Sequence, residues 1–242
     1  MADNYSRSMG VKATATPFDE LVARARVMVA SGSRQILGVV GTPGSGKSTV
    51  SAMLVEALGA DAVLVPMDGF HLANRELNRL GRRARKGAPD TFDVGGYIAL
   101  LERLANQRGA DIYSPVFDRG LEESIGSAVA ISSSVPLVIT EGNYLLSLDH
   151  GWAAVRPLLD EAWFVEVDAA VRRDRLLSRR LSFGHPVEEA VAWVRDVDER
   201  NASLVEATRG RADLLLHVDS VSTIATSEPA AISQSGKRGV HK

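Results

Sequence analysis

Cysteine is absent from the 242 residues. Its absence removes disulfides, thiolate metal sites and cysteine nucleophiles, and it fits a reducing compartment. An excess of charge of one sign is missing too. Lys and Arg number 28 and Asp and Glu 30, for a formal net charge of −2. So balanced a chain is not a general binder of nucleic acid or membrane surfaces. No stretch approaches the ~18 consecutive apolar residues of a membrane span. Met1 to Gly10 is polar and lacks the apolar core of a signal peptide, so a cytoplasmic protein is expected. His150, His185 and His217 fall at no metal-ligand spacing and read as ordinary residues.

What is present suits one α/β domain with a substantial core. Residues 1–15 read as a disordered tail, 16–219 as the folded domain and 220–242 as a second disordered tail, rich in Ser, Thr, Ala and Gly. Thr16-Pro17 starts a helix, with Thr16 as cap, Pro17 in the first turn and Asp19 completing a capping box. Short apolar runs then read as buried strands at Ile36–Val40, Ala62–Met67, Leu137–Thr140, Trp163–Val167 and Ala212–Val218. Asp111–Tyr113 and Ala128–Ile131 read as a small hairpin. Between the strands lie amphipathic helices, including an arginine-rich one near 170–181 and a long one from Pro186 to about Arg209. Strands alternating with helices predict a five-stranded parallel sheet covered on both faces. Ligands bind such sheets at the carboxyl ends of the strands, where Gly41, Asp68 and Glu141 fall.

The chemistry begins at Gly41-Thr42-Pro43-Gly44-Ser45-Gly46-Lys47-Ser48, a full match to G-x-x-x-x-G-K-[ST] between a strand and a helix. Glycines let the backbone turn its N–H groups around phosphate oxygens, and the helix presents its positive end to the same anions. Lys47 reaches the β- and γ-phosphates, Ser48 is a Mg²⁺ ligand, and Thr49 completes the nucleotide-binding stretch. A nucleotide and Mg²⁺ are thus the expected cofactors, and the family resemblance described next implies that the nucleotide is ATP. The motif alone does not separate a kinase from another NTPase.

Val65-Pro66-Met67-Asp68-Gly69-Phe70-His71 resembles the phosphoribulokinase/uridine kinase family of P-loop kinases, which includes the bacterial pantothenate kinases. Its Asp-Gly-Phe-His string is also similar to that of bacterial proteins labelled sugar or fructose-transport kinases. Further likenesses lie at Lys86–Asp93, at Tyr113–Asp118 and at Thr140–Leu145. The resemblance implies a P-loop NTPase fold with a small acceptor hairpin and an arginine-rich lid. It implies that Asp68 is the base taking the proton of an acceptor hydroxyl, with a turn cap as the plain alternative. Glu141 would hold Mg²⁺ or pair with a lid arginine. Asp93 would bind a substrate hydroxyl or cap the next helix. His71, Tyr113, Phe117 and Arg119 fall where the family builds its acceptor pocket. In the lid, Arg172, Arg175 and Arg179 share one helical face, and Arg175 and Arg179 are the expected catalytic pair.

The activity so implied is ATP-dependent phosphorylation of a small-metabolite hydroxyl, a sugar or polyol first, with uridine or pantothenate as alternatives. The expected partner is that small molecule, with no nucleic acid or membrane, and a homodimer as the open oligomeric alternative. A GTP-dependent switch is disfavoured because Asn-Lys-x-Asp is absent. A non-catalytic nucleotide sensor has no need of Asp68. The basic stretch Arg82-Arg83-Ala84-Arg85-Lys86 is either a binder of an anionic acceptor or a solvated loop.

Overall fold

The computed structural model describes residues 16–217. The expected tails and Val218 lie outside them. In chain order the elements are helix α1 (Phe18–Val29), strand β1 (Gln35–Gly41), helix α2 (Lys47–Leu58), strand β2 (Ala62–Pro66), and helices α3 (Asn74–Arg79) and α4 (Val94–Asn106). Strands β3 (Ile112–Asp118), β4 (Glu123–Ile131), β5 (Leu137–Gly142) and β6 (Glu161–Glu166) follow. Helices α5 (Ala169–Ser182), α6 (Val187–Trp193) and α7 (Glu199–Glu206) lead to strand β7 (Leu214–His217). Five strands form one parallel sheet in the order β2-β5-β1-β6-β7, while β3 and β4 pair as a separate antiparallel hairpin. Among the described residues no helix is long and apolar enough to cross a membrane.

The central strands are buried along nearly their whole length because both sheet faces are covered. Side chains alternate between the two faces. Ile36, Val40, Val138 and Phe164 pack with α4 and the loop at 144–159. Leu37, Val39, Ile139, Trp163 and Val165 pack with α1 and α2. In α1 the buried positions are Leu21, Ala25 and Met28, a helical stripe.

Several sequence expectations change in detail. Thr16 does not cap α1: Pro17 occupies the N-cap position, and no described side chain accepts a hydrogen bond there. Starting the helix at Phe18 leaves Thr16 one residue too far back to cap it. The hairpin is longer than its two apolar ends suggest, with a register shift between Ser114 and Val116. The stretch at 71–92 contains α3 and single 3-10 turns. The long final helix is interrupted by a π-turn at Val194–Asp198, where the Glu199 N–H donates to the Val194 carbonyl.

Under the sheet's carboxyl edge lies an aromatic floor. The Trp152 ring centroid is 5.7 Å from those of Phe92 and Tyr144 and 5.9 Å from that of Tyr97. The Trp152 Nε1–H donates to the Pro89 carbonyl at 2.9 Å, and the Tyr144 hydroxyl to the Gly87 carbonyl at 2.5 Å. These rings hold the 83–92 loop to the sheet. Trp152→Ala should therefore destabilise the protein by ~3–5 kcal/mol, the usual cost of emptying a large aromatic site. Urea unfolding checks this through a lower midpoint with an unchanged slope.

Candidate active site

The site is assembled by register. Glu141 pairs with Val39 on one side and Pro66 on the other, so β1, β5 and β2 end side by side. Two residues beyond Val39 the chain enters the glycine-rich loop, and two beyond Pro66 lies Asp68. Backbone conformation shapes the loop: Gly44 and Gly46 have φ of +79° and +94°, a region where side chains are strained. The Ser45 N–H closes the turn onto the Thr42 carbonyl at 3.0 Å. A Cβ on Gly44 would stand 2.9 Å from both the Arg172 carbonyl and Leu176 Cγ. The loop thus lies directly against α5.

Lys47 and Ser48 open α2 at the floor of a cleft of about 410 Å³. Ser48 Oγ donates to Glu141 Oε1 at 3.1 Å. Glu141 Oε2 is buried with no hydrogen-bond partner among the described residues. A hydroxyl and an orphaned carboxylate oxygen beside a phosphate loop are hard oxygen donors that fit Mg²⁺, with nucleotide phosphates supplying further ligands. Burial drives the Glu141 pKa above the usual carboxylate range; Lys47 opposes this and Asp68 adds to it. Asp68 goes the other way. Desolvation works against its ionisation, but His71, Lys47, Arg119 and Arg179 outweigh that and hold its carboxyl below the ordinary value. Burial lowers the Lys47 pKa, with Glu141 and Asp68 pulling it back.

Asp68 and Arg119 form a loose ion pair at 3.5 Å, which ties the hairpin turn to the end of β2. His71 Nδ1 lies 2.8 Å from the Asp68 carbonyl, and its ring packs on Phe92 and Phe117 at centroid distances of 4.1 and 4.7 Å. Pro43, Gly44, Lys47, Ser48, Asp68, His71, Phe117, Arg119 and Arg179 all line the same cleft.

Other expected site residues lie elsewhere. Asp93 is exposed and caps α4, accepting from the Gly96 N–H at 2.9 Å, which commits its carboxylate to the helix end. Tyr113 is 54% exposed on the hairpin and is not a cleft residue. Arg175 reaches the Ser45 carbonyl at 3.4 Å, so it braces the loop from behind. Arg172 is buried and paired with Glu199 at 2.5 Å. The shared helical face therefore splits, with Arg179 alone of the three at the cleft. Thr42 borders a second hollow beside Val165 and Val167, while Thr49 is exposed.

Sequence reading missed a whole wall. Asn143, Arg180, His185, Glu189, Trp193, Asp198 and Asn201 also line the cleft. His185, read as ordinary, is among them. Trp193 and Asp198 are five residues apart, a spacing that puts them on one face only across a π-turn, and no periodicity signals it. The basic stretch divides. Arg82 and Arg85 hold Asp90, whereas Arg83 and Lys86 border the cleft. Lys86 Nζ donates to Asn74 Oδ1 at 2.8 Å and to the Glu122 carbonyl at 2.5 Å.

No protein-family model matches the chain. Over 221 residues it is 32% identical to a uridine kinase-like protein of Schizosaccharomyces pombe, covering 87% of this chain and 94% of that one. It is 29% identical over 250 residues to a pantothenate kinase of Leifsonia xyli subsp. xyli, covering 90% of this chain and 71% of that one. The crystal structure of a kinase ascribed to a fructose transport system, from a Silicibacter species, superposes with a TM-score of 0.76. It is 38% identical in sequence, and the match covers 83% of this chain and 98% of that one.

The contact between Gly44 and α5 yields a test. Gly44→Ala adds a methyl group at positive φ against a carbonyl oxygen, so nucleotide affinity should fall ~10-fold or more. Titration with a fluorescent ATP analogue checks this.

Proposed function

The chain belongs to the uridine and pantothenate kinase-like family of P-loop kinases, and we propose that it transfers the γ-phosphoryl group of ATP to a hydroxyl of a sugar or polyol. One observation carries this reading: an Asp68 carboxylate kept ionised by surrounding cations, in one cleft with the phosphate loop. A switch or sensor needs the loop but no such group. The sugar or polyol preference draws on the name of the Silicibacter relative. Uridine and pantothenate, from the names of the other two, are the acceptors to be tested beside it.

The residues divide the work. The loop N–H groups and Lys47 hold the phosphates. Ser48 and Glu141 would hold Mg²⁺, which when bound neutralises phosphate charge. Asp68 accepts the proton of the acceptor hydroxyl as its oxygen bonds to the γ-phosphorus and the bond to the ADP oxygen breaks. Part of that contribution is orientation, since a loose transition state needs little proton removal early. Arg119 and Arg179 face the same space and counter the charge that develops on the transferring group. The hollow beside Thr42, where Val165 and Val167 meet the polar Glu166, Asp168, Arg209 and His217, adjoins the loop and would take the nucleoside end of ATP.

Acceptor-dependent ADP release, measured with D-fructose, mannitol, uridine and pantothenate, tests the reading. ADP release that no acceptor increases would remove it. Asp68→Asn should lower phosphoryl transfer by ~10²-fold or more with ATP binding kept. Lys47→Ala should cut turnover by at least ~10²-fold. Wild-type turnover in Asp68→Asn would mean that another group serves as base.

A further inference from the structure

The cleft wall formed by α6, the π-turn and α7 contains a carboxylate that the phosphoryl-transfer chemistry does not use. Asp198 is the last residue of the π-turn, and its side chain is 11% exposed. Its Oδ2 is buried with no hydrogen-bond partner among the described residues. The Arg180 Nε stands 4.0 Å away, too far for a hydrogen bond, and the Arg180 guanidinium lies 4.3 Å above the Trp193 ring. An under-satisfied carboxylate at the edge of a cleft is costly, and such groups usually have a functional reason. The π-turn supplies the placement. Its extra residue brings Asp198 round to the face that Trp193 presents.

The same cleft holds a further unfilled acceptor. Asn143, just past β5, has a buried Oδ1 without a partner among the described residues. His71 Nδ1 faces the Asp68 carbonyl, which accepts and never donates. Nδ1 therefore carries a proton. Asp198 and Asp68 both line this cleft. Lys86 is already engaged by Asn74 and Glu122. Asp198 Oδ2 and Asn143 Oδ1 thus both lack a donor among the described residues, and a ligand that completes them must bring one.

We infer that Asp198 is a specificity-determining residue that accepts a hydrogen bond from a second hydroxyl of the phosphoryl acceptor, so that the substrate is a neutral polyhydroxylated molecule. The inference rests on the kinase reading and names the substrate class for the same site. The competing anchor is Arg83, which also borders the cleft and would favour an acceptor bearing a carboxylate or phosphate.

Steady-state kinetics with D-fructose, mannitol, D-glycerate and pantothenate tests it on Asp198→Asn, Asp198→Ala and Arg83→Ala. The neutral polyols should be the better substrates. Asp198→Ala should raise their KM ~10-fold or more, with kcat and the KM for ATP within about threefold. Glu199→Gln, which breaks the Arg172 pair on the same helix, should lower the melting temperature without that selective rise. Equal changes in the ATP and acceptor KM of Asp198→Ala would make the residue structural and overturn the inference. So would preference for D-glycerate or pantothenate with the effect carried by Arg83→Ala. If wild-type protein turns over none of the four, the kinase reading fails for these acceptors, and calorimetry with D-fructose and a non-hydrolysable ATP analogue decides separately. Fructose binding that Asp198→Asn weakens upholds the inference; absent binding, or equal binding by both proteins, overturns it.

Discussion

The site depends on the pairing of one strand residue with two neighbours. Glu141 lies between Val39 and Pro66 in a parallel ladder, and the hydrogen bonds of that ladder fix where three loops leave the sheet. A slip of one residue in β5 would turn Glu141 to the opposite face. It would separate the carboxylate from Ser48 and leave Asp68 facing a different part of the loop. The apolar packing on both faces guards against this, because every central strand has its large side chains committed to two cores.

Two carboxylates at the carboxyl ends of neighbouring strands end up with opposite acid strengths. Glu141 is 6% exposed and shares its surroundings with the Asp68 charge, which makes it reluctant to ionise. Asp68 lies among cations and gives up its proton readily. Environments that push paired acids apart in this way divide labour between them. One is suited to a divalent cation, whose charge would offset the cost of ionisation. The other is ready to receive a proton from an alcohol.

The sheet and the phosphate loop were legible in the sequence because each is written locally. Apolar runs flanked by glycine and polar residues mark buried strands, and the loop's residue types follow from close backbone approach to phosphate. Glu141 and Asp68 were legible as residues just after strands. The divided fate of the lid arginines was not. Arg172, Arg175 and Arg179 share a helical face, but the partners that separate them, Glu199 and the Ser45 carbonyl, come from distant segments. Asp93 showed the limit of a residue with two plausible uses, since its carboxylate serves the α4 end. The π-turn had no signal at all, because one inserted residue changes the facing of a helix without changing its composition.

The contact of Gly44 with α5 has a mechanical consequence. The base of that helix is riveted to the phosphate loop through Gly44, Arg175 and the Arg172 carbonyl. Its far end carries Arg179 and Arg180 and gives way to Gly184 at φ +81°. A rod clamped at its base takes its direction from that base, so the place of Arg179 over the cleft is set in part by the backbone of the phosphate loop itself.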